Sequence, residues 1–185
     1  SSIFYPVSGA SQALKITTSV QEWCGHVFAQ LNNRETFEIQ SNSYFEAEAD
    51  QSFSIEKNVL EDELWTMIRT QPGALPEGSL SIVPSLEYLR LKHREIKAYN
   101  AEVTVRRDAG IRQLTVRYPE LDRTLSIRFQ DTFPYRIEGW IESYPSGGGT
   151  ITSTARLNKT ILSPYWRKNG NSDLSLRDSL GLEMR

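Results

Sequence analysis

The feature that most constrains this chain is a period of two. Apolar and polar residues alternate through much of its length, and a β-strand sends successive side chains to opposite faces, so each alternating run specifies a half-buried strand. Leu14, Ile16 and Val20 share one face of the first run. Trp23, Gly25, Val27, Ala29 and Leu31 share one face of a second strand, and Asn32-Asn33-Arg34-Glu35 reads as the turn into a third over Phe37–Phe45. Further strands are expected at Phe53–Ile55, Leu80–Val83, Leu86–Leu91, Lys97–Val105 and Ile151–Ile161. The alternating sets Leu114/Val116/Tyr118, Leu125/Ile127/Phe129 and Tyr135/Ile137/Ile141 add three more. Pro119-Glu120-Leu121-Asp122 is short enough to join two of these as a hairpin.

One segment keeps a different period. Leu60, Leu64, Met67 and Ile68 recur at helical spacing, which predicts an amphipathic helix over Asn58–Thr70. Asn58 suits the N-cap and Glu61 the capping-box position, while Glu61, Asp62 and Glu63 complement the positive end of the helix dipole. Pro72-Gly73 ends it, and Ser172–Leu182 reads as a short C-terminal helix. The sum is a mainly β protein, a curved antiparallel sheet or barrel with one central helix and a short terminal one. No repeat or linker divides the chain, so residues 1–185 are read as one domain.

Composition closes off several functions. A net charge of −2 with no Lys/Arg cluster argues against nucleic-acid binding. No apolar run approaches the ~20 residues of a membrane-spanning helix. Ser1–Ala10 lacks the charged start and long apolar stretch of an intact signal peptide. Cys24 is the single cysteine, which rules out an intramolecular disulfide and a Cys-rich zinc site.

Few residues suggest chemistry. On one strand Glu22, Cys24 and His26 would form a row, and a thiolate beside an imidazole is a nucleophile arrangement. The competing reading makes Cys24 a small semi-buried hydrophobe and His26 a hydrogen-bonded strand residue. A zinc site would need His26, His93, Cys24 and a carboxylate to converge, without any ligand-spaced motif to bring them together. Glu46, Glu48 and Asp50, if extended, could hold calcium or an acid pair; a solvated acidic turn is the alternative. Glu61-Asp62-Glu63 is explained by capping. Gly147-Gly148-Gly149 lacks the Lys-Ser/Thr and helix of a phosphate loop, and no Gly-x-Ser-x-Gly occurs. No cofactor is expected. Trp140 falls on the face opposite Ile137 and Ile141, and Phe28 on the face opposite Val27 and Ala29. A strand apolar on both faces either meets a second layer or lines a cavity, so Phe28 and Trp140 are the candidate ligand-binding residues.

The runs Val20-Gln21-Glu22-Trp23-Cys24-Gly25-His26, Ser43-Tyr44-Phe45-Glu46, Leu60-Glu61-Asp62-Glu63-Leu64-Trp65, Tyr118-Pro119-Glu120-Leu121-Asp122-Arg123, Leu157-Asn158-Lys159-Thr160 and Ser175–Leu182 resemble a family of uncharacterised exported bacterial proteins. Many members carry the label "septum formation inhibitor Maf". Maf pyrophosphatases are α/β proteins with a Ser-x-Ser-Pro-Arg-Arg motif that this chain lacks, so their activity is not carried over. From Asp62 onward the order of elements is also similar to the DUF3108 envelope proteins. These resemblances imply a lipocalin-like or lipoprotein-carrier-like fold, a place in the cell envelope, often lipid-anchored, and a chain that is the C-terminal portion of a longer one. They supply no catalytic residues. The expectation is a non-enzymatic envelope protein whose curved sheet binds an apolar ligand, such as a lipid, or a protein partner. The alternatives are an enzyme using Cys24 and His26, and a purely structural envelope module.

Overall fold

The alternating runs fold into strands of two sheets, in a computed structural model that describes residues 1–6, 12–22 and 25–182. The first sheet has the order β1 (Ser2–Phe4), β2 (Lys15–Glu22), β3 (Gly25–Asn33), β4 (Phe37–Ser43) and β5 (Gln51–Ile55), with every neighbour antiparallel. The second contains β6 (Val59–Leu60), β7 (Gly78–Val83), β8 (Tyr99–Asp108), β9 (Ile111–Tyr118), β10 (Arg123–Gln130), β11 (Ile137–Ser146) and β12 (Gly149–Arg156). Its neighbours are antiparallel except β6 and β7, which run parallel and are joined through helix α1 (Glu61–Thr70). The protein is mainly β and its sheets do not close into a barrel. One hydrophobic cluster draws on both sheets, from Ile16, Leu31, Phe37 and Ile39 in the first to Val103, Val116, Ile127 and Phe129 in the second. Leu64, Met67 and Ile68 of α1 fill it, each aliphatic worth roughly 1.5–3 kcal/mol when fully buried.

The strand expected at Leu86–Leu91 is instead a helix, α2 (Leu86–Leu91). Pro84 ends β7, and the Ser85 Oγ accepts the Tyr88 N–H as an N-cap, so a helical turn starts where the apolar run alone looked extended. The buried positions Leu86 and Leu89 then fall at i and i+3. The terminal helix is shorter than expected, α3 (Ser175–Ser179). The last strand stops at Arg156; the chain leaves the sheet after the Leu157 N–H donates to the Glu138 carbonyl, and Leu162 is fully exposed.

A second correction concerns β11. Ile137 pairs with Phe129, Gly139 with Arg128 and Trp140 with Ile127, so Glu138 is an extra residue in the strand. This bulge resets the alternation. Ile137 and Trp140 both face inward, opposite the buried Phe129 and Ile127, whereas Ile141 is exposed on the other face. Trp140 therefore shares the face of Ile137 instead of opposing it.

Candidate functional site

Helix α1 begins with three carboxylates in a row, all buried. Capping explains part of one. The Glu63 carboxylate accepts the Leu60 N–H at 3.3 Å, which puts the N-cap at Leu60 and not Asn58, and it also accepts the Ala13 N–H at 2.8 Å. Burial raises its pKa against the pull of those two donors. Asp62 accepts the Leu86 N–H at 3.0 Å, tying the start of α1 to the start of α2. Burial pushes the Asp62 carboxyl up to about 7, opposed by the Leu86 N–H and reinforced by the charge of Glu61.

Glu61 reaches the floor of a groove. The Arg123 guanidinium clamps it from two nitrogens, at 2.5 and 2.7 Å, and the Tyr118 hydroxyl donates to it at 2.6 Å. The Arg123 Nε donates to Glu142 at 2.7 Å, so one cation serves two carboxylates. Arg123 and Glu61 are 2% and 1% exposed, which makes this a buried, bidentate pair. Burial opposes the guanidinium charge, but Glu61 and Glu142 outweigh it and raise the Arg123 pKa. Burial, then the neighbouring Glu61 charge, raises the Tyr118 pKa well above the ordinary phenol value and keeps the hydroxyl a donor.

Above this floor the walls are aromatic. Arg123 lies 4.2 Å from the ring centre of Tyr88, which meets Tyr144 edge to face at 5.9 Å. Trp65 from α1, Leu91 from α2, Leu125 from β10 and Trp140 from β11 complete a groove of about 500 Å³. That volume falls in the range of small-molecule sites, and the arrangement of apolar walls over a few convergent polar groups is the usual one for them.

Of the expected residues that the structure describes, only Trp140 lines this groove. Phe28 lines a second depression of about 500 Å³ on the face of the first sheet turned away from the core, with His26, Ser19, Gln21, Asn42 and Tyr44. Ser19, Gln21, His26 and Asn42 on its walls are exposed polar side chains, and it lies more open to solvent than the Trp140 groove. The structure does not bring Phe28 and Trp140 together. Cys24 and Trp23 lie outside the described residues. Glu22 ends β2 and pairs with Gly25 at the start of β3, so Glu22 and His26 belong to two antiparallel strands and the single-strand row does not form. His26 is exposed. Glu46–Glu48 is a 3₁₀ turn, not a strand; Glu48 pairs with Arg90 and, at 2.9 Å, with His93, while Asp50 accepts from Asn42. Among the described residues no three His, Cys, Asp or Glu side chains converge as a metal site would require, and no helix is long and apolar enough to cross a membrane. No family model, curated protein or solved structure matches the chain.

Proposed function

We propose that this is a non-enzymatic binding protein of the cell envelope that holds an apolar or amphipathic small molecule in the groove between α1, α2 and β10–β12. The observation that carries the binding reading is the aromatic wall of Trp65, Tyr88, Trp140 and Tyr144 over the Glu61–Arg123 floor. A fold that needed only a core would close such rings against one another, since apolar area removed from water stabilises by roughly 25 cal/mol per Å². Trp140 and Tyr144 remain half-buried at the edge of the core instead. The envelope location, the lipid anchor and the kinship with lipocalin-like or lipoprotein-carrier-like proteins rest on the resemblance of sequence motifs and element order. The non-enzymatic reading is supported by Arg123 and Glu61, whose charges are matched to each other.

Native mass spectrometry of protein purified gently from its own host tests the binding reading. A stoichiometric small-molecule adduct is expected, lost in Trp140→Ala and kept in Phe28→Ala. An adduct-free mass for the unmodified chain, or an adduct that Trp140→Ala retains, would count against this groove.

A further inference from the structure

The groove's charges select among apolar ligands. Its lining holds the carboxylates of Glu61, Glu87 and Glu142, and the Asp62 carboxyl that burial raises to about 7, against two cationic side chains, Arg123 and Lys92. Arg123 is committed twice, to Glu61 from two nitrogens and to Glu142 from its Nε. Glu87 is exposed at the rim. A ligand entering this groove therefore meets surplus negative charge at the same place as it meets ring faces. An anionic head group would be repelled, a neutral one would gain only the apolar contact, and a cationic one would gain both the carboxylates and the negative faces of the rings.

A side chain of the protein already makes the contact that such a head group would make. Lys92, at the end of α2, places its ammonium 4.2 Å from the centre of the Tyr144 ring, and among the described residues it forms no ion pair with a carboxylate. The residue is half-buried, with its ammonium against the aromatic face. A tethered ammonium thus already rests on this wall. A lysine stem with several rotatable bonds can also leave it.

We infer that the groove takes an organic cation, a molecule with an apolar body and an amine or quaternary ammonium head, and that Lys92 occupies the head-group position until the ligand displaces it. This rests on the binding reading given above and names the ligand class for that same groove. Trp140 and Trp65 would cover the apolar body, Tyr144 would face the head, and Glu142 and Glu87 would supply the countercharge.

Three probes of equal chain length separate the possibilities: decyltrimethylammonium, decanoate and decanol, titrated below their aggregation concentrations and followed by calorimetry and tryptophan fluorescence. The ammonium probe is expected to bind one per chain, and at least about tenfold more tightly than decanoate. Lys92→Met removes the internal competitor and a like charge, so it should tighten the ammonium probe by roughly threefold to tenfold. Glu87→Gln removes a rim charge and should weaken it by roughly twofold to fivefold. Decanoate or decanol binding as tightly as the ammonium probe, or Lys92→Met weakening the ammonium probe, overturns the cationic assignment and leaves the groove a binding site. Failure of all three probes to bind overturns the assignment and the binding reading together. Tightening in Lys92→Met is the diagnostic result, because loss of a groove side chain through misfolding only weakens binding.

Discussion

Replacing Arg123 with methionine removes the one cation at the floor of the groove while keeping a side chain of similar length. Glu142 can turn to water, since its side chain is 20% exposed, but Glu61 at 1% cannot. The carboxylate is left with the Tyr118 hydroxyl as its remaining donor. Breaking a buried pair from one side costs about 3–5 kcal/mol, because the stranded charge has lost water and partner alike. Total stability for a domain is on the order of 5–15 kcal/mol, so the variant loses a large share of it. For a chain of this size the midpoint of thermal unfolding should fall by roughly 6–20 °C. Urea unfolding followed by far-UV circular dichroism measures the loss as a lower midpoint at unchanged slope. Adding Glu61→Gln to Arg123→Met removes the stranded charge and leaves an amide oxygen for Tyr118. The double variant should recover roughly 2 kcal/mol over Arg123→Met alone, a coupling a double-mutant cycle reads directly. A loss below about 1 kcal/mol, the size of an exposed ion pair, would refute the buried-pair account, and so would a double variant no better than the single.

Two further outcomes follow from the structure. Asp62 binds its proton more tightly folded, near 7, than unfolded, near 3.8, so its contribution is fully present below pH ~4 and is lost as pH rises through about 7, by at most roughly 4 kcal/mol. Asp62→Asn keeps an oxygen for the Leu86 N–H, so its urea midpoints from pH 5 to 8 should decline less than those of the unmodified chain; equal declines would assign the dependence to other groups. Gly139→Ala would put a Cβ well inside van der Waals contact of the Ala155 carbonyl oxygen across β11 and β12. It should destabilise by about 1–3 kcal/mol, and an unchanged melting temperature would show that the two strands part freely.

Much of the fold was legible because period two survives in the strands. Leu125, Ile127 and Phe129 are buried as their spacing demands, and the Pro119–Asp122 connection turns β9 back into β10, with Asp122 at a φ of 47°. The groove was less legible, although its floor left a trace. Counting back by two from Leu125 lands on Arg123, and counting back by three from Leu64 lands on Glu61. Opposite charges in the inward phase of two elements signal a buried pair, and capping alone does not account for Glu61. The wall was hidden for local reasons. One extra residue at Glu138 reversed the phase by which Trp140 would be read, and Ser85 turned an apolar run into α2, which carries Tyr88 and is followed by Lys92. Phe28 lines a depression on the outer face of the first sheet, where a half-buried aromatic has the same alternation as one lining an inner cavity.

The three carboxylates at the start of α1 also impose an order in time. Glu63 bonds to Ala13, made 50 residues earlier; Asp62 bonds to Leu86, 24 residues later; Glu61 waits for Arg123, 62 residues later. On a chain growing at ~5–20 residues per second, Arg123 follows Glu61 by roughly 3–12 seconds. During that interval α1 can dock on the first sheet through Glu63 and receive α2 through Asp62, while the carboxylate of Glu61 must stay wet. The first five strands and both of these helices are thus complete before the helix can seat fully. The groove is completed late, and a nascent chain that stops short of β10 has its walls begun and a floor without its cation.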